Sequence, residues 1–145
     1  MAKNYDATDF LWTSRGDIFI ADGDIKDTEE DPLRSVVQEI KTRASGDQGD
    51  WKMNVNVGSN ISSLVGQPNN KETAEHIKTR IISALTRHGF IKANDLSIRY
   101  MPISREKLLV RISLSVAPTS KNKASEQLKI TGLYNYKEDQ VALLI

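Results

Sequence analysis

The sequence predicts an α+β domain, in which two main helices pack on a mostly antiparallel sheet and a β-hairpin projects at the C-terminus. Two segments place apolar residues at helical spacing, and two alternating segments follow the second of them. A polar connection then sets the last segment apart. We therefore divide the chain into an α+β domain over residues 1–117, a linker over 118–127 and a hairpin over 128–145.

The N-terminal third predicts short strands followed by a helix. The runs DFLW and DIFIADGDI are typical of strands, and Asp22-Gly23 favours a tight turn. Asp31 is a suitable N-cap, Pro32 suits the first helical position, and Gly46 can end the helix in the left-handed conformation. The apolar stripe of this helix consists of Leu33, Val36, Val37, Ile40 and Ala44.

A long polar loop, residues 43–69, separates the two helices and carries Trp51 with Met53, Val55 and Val57. Loops of this composition can hold carboxylates, a metal or a phosphate, or they can form a shaped connection against which a protein docks. A second helix is expected from Asn70 or Lys71 to Gly89. Its apolar stripe consists of Ala74, Ile77, Ile81, Ala84 and Leu85.

The C-terminal half predicts strands. LSIRYMPI alternates with Leu96, Ile98 and Tyr100 on one face, and LLVRISLSV alternates over its whole length. After the linker, LKITGLYNY and VALLI indicate a hairpin. VALLI is apolar and uncharged, which is unusual for an open sheet edge. Either this strand is buried in the domain's own sheet or it accepts a strand from a partner, and the pattern favours neither alternative.

Composition narrows the classes of function. The 145 residues include 20 basic and 19 acidic side chains, a formal net charge of +1, so we expect neither nucleic acid nor membrane as a partner. The lack of cysteine excludes disulfides and thiolate chemistry. The polar start, MAKNYDATDF, has no signal-peptide core, which predicts a protein assembled in the cytoplasm.

Candidate catalytic and metal-binding residues are few. Glu39, Asp47 and Asp50 lie close in sequence, but they have no convergent partners and we interpret them as structural. His76 and His88 lack further ligands, and neither DGDIKDTEED nor GDQGD has the spacing of a calcium or phosphate loop. Two Lys-Thr-Arg triplets, at 41–43 and 78–80, are interpreted as solvated helix faces. We therefore expect no cofactor, no metal and no enzymatic activity.

Taken in order, the segments PLRSVVQEIKTRASGD, VGSNISSLVG, ETAEHIKTRIISAL and LSIRYMPI…LLVRISLSV resemble the baseplate wedge proteins that act as sheath initiators in contractile phage tails. The resemblance covers about residues 10–117. The chain has Gly-Asp where that family usually has Gly-Glu, and YMPISREK is its nearest stretch to a Glu-Pro-Arg motif. The residues that match the family motif are Gln38, Gly46, Asp47, Gly58, Leu64 and Gly66.

The resemblance implies a structural role in the virion, in several copies arranged as a ring. The implied partners are the tail sheath protein and other baseplate wedge and tube-proximal proteins. Sheath subunits link by adding strands to one another's sheets, so the C-terminal hairpin would supply the first sheet. The expected interface residues are Trp51, Leu128, Ile130, Tyr134, Tyr136, Val141, Leu143 and Ile145. An anti-adaptor-like regulatory module on the same fold is the alternative, since such proteins also resemble this family.

Overall fold

The computed structural model describes residues 8–13, 15–64, 66–116, 126–135 and 140–144, the last of these as backbone. Two helices, α1 (Pro32–Ser45) and α2 (Lys71–Thr86), accompany two antiparallel sheets. Three short 3₁₀ helices lie at Ile61–Leu64, Arg87–Gly89 and Ala93–Asp95. The predicted α+β class with two helices and antiparallel sheets is confirmed.

Both helices begin and end close to the predicted residues. Asn70 caps α2, because its side chain accepts a hydrogen bond from the Thr73 amide at 2.9 Å. Asp31 occupies the N-cap of α1, but its side chain makes no capping hydrogen bond. Gly46 is not left-handed as expected: its φ of −84° and ψ of 160° are extended. A Cβ there would lie 2.9 Å from the Thr42 carbonyl oxygen, so close approach is what requires glycine.

The larger sheet is antiparallel throughout, in the order β3 (Leu96–Pro102), β4 (Lys107–Val116), β5 (Glu126–Asn135) and β6 (Gln140–Leu144). The predicted alternation of β4 is confirmed, because every second side chain from Leu108 to Val116 is buried. The stripes of α1 and α2 belong to the same core as that face of β4. The core is therefore one continuous layer between the helices and the sheet.

The expected projecting hairpin is wrong in its first strand. β5 pairs with β4 along its full length, from Lys107 opposite Asn135 to Val116 opposite Glu126. Ile130 and Tyr134 are each 1% exposed and belong to the core. The physical reason is that the alternating residues of β5 extend the apolar face of β4 under the helices. Glu126 and Gln127, expected in the linker, are already part of this strand.

A small sheet precedes α1. Strands β1 (Ile20–Ala21) and β2 (Asp24–Ile25) form a hairpin, and single bridges join Phe10 to Asp27 and Trp12 to Ile18. Its turn residues Asp22 and Gly23 both have positive φ, 55° and 76°, as predicted for a tight two-residue turn.

Within the described residues, no helix has the length and apolar composition needed to cross a membrane.

Candidate functional site

The family-motif residues lie at structural junctions. Gln38 on α1 is an example: its side-chain nitrogen donates to the Phe10 carbonyl at 3.0 Å, and its oxygen accepts from the Trp12 amide at 2.9 Å. The side-chain amide of Gln38 thus does what a neighbouring strand would do, because it satisfies one backbone carbonyl and one backbone amide of the segment Phe10–Trp12. Gln38 attaches the small sheet to α1, which explains why glutamine, with both a donor and an acceptor, suits this position.

Gly46, Asp47 and Gly58 close the base of the long loop. The Ser59 amide donates to the Gly46 carbonyl at 2.9 Å, which brings the two ends of the loop together. Gly58 has a φ of +134°, and a Cβ on it would lie 2.4 Å from the Asp47 carbonyl carbon. Only glycine fits this crossing without moving the backbone. These motif residues therefore shape the loop and need no catalytic role to explain them.

Leu64 and Gly66 belong to the segment that leads from the loop to α2. Leu64 ends the 3₁₀ helix Ile61–Leu64 and is buried in the core with Ile61. Gly66 follows at a φ of +85°. The six motif residues consequently do not converge on one cavity but hold the loop, the small sheet and α2 in place.

The tip of the loop is exposed. Trp51 is 52% exposed, Met53 is fully exposed and Val55 is exposed, whereas Val57 is buried. The Gly49 amide donates to the Val55 carbonyl at 2.9 Å, so the tip is a folded turn. Val57 packs against the body of this chain, whereas Trp51, Met53 and Val55 remain exposed at the tip. The expected role of Trp51 at an interface stays a prediction.

The expected hairpin interface is only partly available. Ile130 and Tyr134 are buried, and the Tyr134 hydroxyl donates to the Ile61 carbonyl at 3.2 Å, so neither of these expected interface side chains is accessible in this structure. Leu128 is half-buried and packs against the core. Val141 and Leu143 lie in β6 opposite Tyr134 and Gly132. Tyr136 and Ile145 lie outside the described residues.

The sheet ends at β6. Within the described strands, β6 pairs with β5 alone, and it covers β5 only from Thr131 to Asn135. The first half of β5, Glu126–Ile130, is therefore paired on its β4 side and not by β6. Among the described residues, β6 and Glu126–Ile130 therefore have no partner strand on their outer side, which is the geometry that admits an added strand.

A second candidate interaction surface lies in the small N-terminal sheet and was not predicted from the sequence. We define the N-terminal apolar face as the side chains of Phe10, Trp12, Ile18, Ile20 and Ile25. Trp12 lies opposite Ile18 and Ile20 opposite Ile25, and residues two apart share a face of a strand. All five are between 41% and 65% exposed. Their alternation was visible, but alternation alone does not tell whether the chain's own core covers the face.

A polar cleft lies between the long loop and α2, with a volume of about 590 Å³. Its walls consist of Asp47, Gln48, Ser59, Asn60, Ser62, Ser63, Arg80, Ser83 and Arg87. The serines come from the loop and from α2, and the two arginines come from α2 and the turn that follows it. The sequence signal was weak, because Arg80 belongs to a Lys-Thr-Arg triplet interpreted as solvated.

The Lys-Thr-Arg triplet at 41–43 was also interpreted as solvated, but its Arg43 is only 8% exposed. Its guanidinium lies 4.6 Å from the centre of the Phe90 ring and pairs with Glu39 at 2.6 Å. Glu39, one of the candidate carboxylates, is thus an ion-pair partner. Asp50 accepts from the Asp47 amide at 2.9 Å. Within the described residues, no group of three or more acidic or histidine side chains could hold a metal ion.

Comparisons with known proteins identify no relative. No family model, curated protein or solved structure gives a significant match to this chain. The structural features that bear on function are therefore the sheet edge at β6, the N-terminal apolar face and the polar cleft.

Proposed function

We propose that this protein is a structural component of a contractile phage tail baseplate and initiates the sheath by accepting strands at the β6 end of its sheet. The single observation that carries the proposal is the edge formed by β6 and residues 126–130 of β5, which no other described strand covers. Supporting it is the resemblance of residues 10–117 to sheath initiators. In this proposal the protein belongs to the virion and is assembled in the host cytoplasm.

Strand addition fits this edge on physical grounds. Each residue of an edge strand directs its amide and carbonyl either toward its neighbour or outward, in alternation. An incoming strand satisfies the outward groups and gains cross-strand contacts between side chains. β6 has the sequence QVALL, with no charge and no proline. It therefore has none of the residues that usually prevent edge pairing.

The proposed mechanism differs from an exchange of the whole hairpin. Because β5 carries core residues, it cannot leave the sheet without exposing Ile130 and Tyr134. β5 thus anchors β6 to the domain, and the sheath protein pairs with the outer side of an already formed sheet. This arrangement transmits force from sheath to baseplate through backbone hydrogen bonds and a packed core.

The N-terminal apolar face supports assembly with further partners. Contiguous exposed apolar surface is characteristic of interaction sites in otherwise soluble proteins. A baseplate wedge or tube-proximal protein is the proposed occupant, in a ring containing several copies of this chain. Glu39, Asp47 and Asp50 each have a local structural contact, so we assign them no catalytic role.

A pair of proline substitutions tests the strand-addition mechanism. Ala142 and Leu143 are adjacent in β6, so their amides point in opposite directions, one toward β5 and the other outward. Proline removes the amide donor in either case. The variant that loses the outward amide should abolish sheath nucleation in a tail reconstitution with little effect on unfolding. The variant that loses the amide facing β5 should also weaken the pairing of β6 with β5. Unchanged nucleation with both variants would contradict the mechanism.

The alternative is a regulatory module that binds one soluble partner. The N-terminal apolar face favours it, because a single face of this kind suits a one-to-one complex. Mass measurement of the complex purified from infected cells separates the two functions. A ring associated with virions supports the baseplate function, and a soluble complex with one copy of each protein supports the regulator.

A further inference from the structure

Two cations on one side of α2 are directed toward the long loop. Arg80 lies in the helix and Arg87 immediately after it, seven positions along, which on a helix corresponds to two turns and about 10 Å. Both side chains are half-buried. They reach across to backbone on the loop: Arg80 donates to the Asn60 carbonyl at 2.6 Å, and Arg87 donates to the Asn56 carbonyl at 2.6 Å.

Both guanidinium groups are held by neutral partners. Arg80 also donates to the Ser63 hydroxyl, and Arg87 to the Gly58 carbonyl at 3.4 Å and the Ser83 hydroxyl at 3.3 Å. Lys26 pairs with Asp22 and Arg43 with Glu39, but among the described residues no carboxylate forms an ion pair with Arg80 or Arg87. Their positive charges are therefore positioned but not neutralised by a contacting carboxylate.

The cleft between them is large enough for a ligand. Its volume, about 590 Å³, is within the range of natural ligand pockets. Its one carboxylate, Asp47, accepts from the Ser62 hydroxyl on one oxygen, while the other oxygen is buried without a hydrogen-bond partner among the described residues. Two arginines against one half-buried aspartate leave the cleft wall with a surplus of positive charge.

We propose that this cleft binds an acidic segment of a partner protein, with Arg80 and Arg87 each contacting one carboxylate. Arg80 and Arg87 lie seven positions apart, so a segment that carries several carboxylates suits the cleft better than a small anion. In a polyproline II chain, which has three residues per turn, carboxylates three residues apart lie on the same side at about 9 Å, close to the two helical turns between the backbones of the arginines. Polar lining from Ser83 and Asn60 suits backbone amides and carbonyls of such a segment. The inference is independent of the strand-addition function, because it involves a different surface.

Binding of a peptide to the full chain tests the proposal. The probe is a capped hexaglutamate peptide, the neutral control is capped hexaglutamine, and isothermal titration calorimetry measures affinity at low and high salt. Arg80→Gln and Arg87→Gln should each weaken hexaglutamate binding about fivefold, the upper end for an accessible charge pair. Lys71→Gln removes the same charge from an exposed position at the start of α2 and should leave the affinity unchanged.

A second measurement keeps the test valid if an arginine variant disturbs the loop. In the unmodified protein, hexaglutamate should shift the amide NMR signals of Gln48, Asn60, Ser63 and Ser83, which line the cleft. Inorganic phosphate at matched ionic strength should fail to displace the peptide. The proposal is overturned if the shifts map elsewhere, if Lys71→Gln weakens binding as much as the arginine variants, or if phosphate displaces the peptide.

Discussion

Replacing Tyr134 tests whether β5 belongs to the core. The side chain is 1% exposed, packs with the residues beneath α1 and α2, and donates its hydroxyl to the Ile61 carbonyl at 3.2 Å. Tyr134→Phe removes only the hydrogen bond and leaves a buried carbonyl without that donor. The expected loss of unfolding free energy is about 1 kcal/mol, the typical net value of a buried hydrogen bond.

Tyr134→Ala removes the buried aromatic ring as well as the hydrogen bond, and it leaves a cavity in the core. Deleting a buried aromatic side chain costs about 3–5 kcal/mol, because transfer and cavity terms add. For a chain of this size, the melting temperature should fall by about 6–20 °C, at 2–4 °C for each kcal/mol. Urea unfolding followed by far-ultraviolet circular dichroism gives the free energies, and calorimetry gives the melting temperatures.

The matched control is Lys129→Ala, because Lys129 lies on the same strand with its side chain exposed. It should cost less than about 0.5 kcal/mol. If Tyr134→Ala is as mild as Lys129→Ala, then β5 is not held in the core and the hairpin is detachable. In that case the anchoring part of the proposed mechanism is refuted.

Three further predictions concern other parts of the molecule. Gly58→Ala should lose more than about 2 kcal/mol in urea unfolding, whereas Gly49→Ala, also at positive φ but with open space around it, should lose less. The hydrogen bond from Tyr100 to Glu75 raises the pKa of Tyr100 above its usual value of 10. Glu75→Gln should therefore lower this pKa in a carbon-13 NMR titration. Any stability that this bond contributes should be lost as the pH rises through the pKa of Tyr100 in the folded protein. Purified protein should leave the turbidity of a peptidoglycan suspension unchanged; clearing that disappears in Glu39→Gln would establish a catalytic role.

The helices and the strand whose apolar residues follow one clear periodicity were predictable from the sequence. The stripes of α1 and α2 and the alternation of β4 each specify a buried face, and the structure places them in one core. The Asp22-Gly23 turn was also predictable, because few residue pairs tolerate positive φ at both positions. These signals are local, and each is strong enough to determine its own element.

The position of β5 was not predictable, because its alternating pattern is the same whether its partner is β4 or a strand of another protein. The polar connection before it suggested separation, but connection length does not determine where the strand pairs. Arg80 and Arg87 were overlooked for a related reason. A polar helix side is usually solvated, and only the fold places the long loop opposite these residues.

Hydrogen exchange of the sheet edge tests the central claim most directly. Amide exchange is measured by mass spectrometry on peptides covering β5 and β6, with and without the tail sheath protein. Strand addition predicts that binding slows exchange in Gln140–Leu144 and in the first half of β5, while β4, already paired on both sides, remains unchanged. Sheath protein that fails to bind, or that binds without slowing exchange at this edge, would contradict the account.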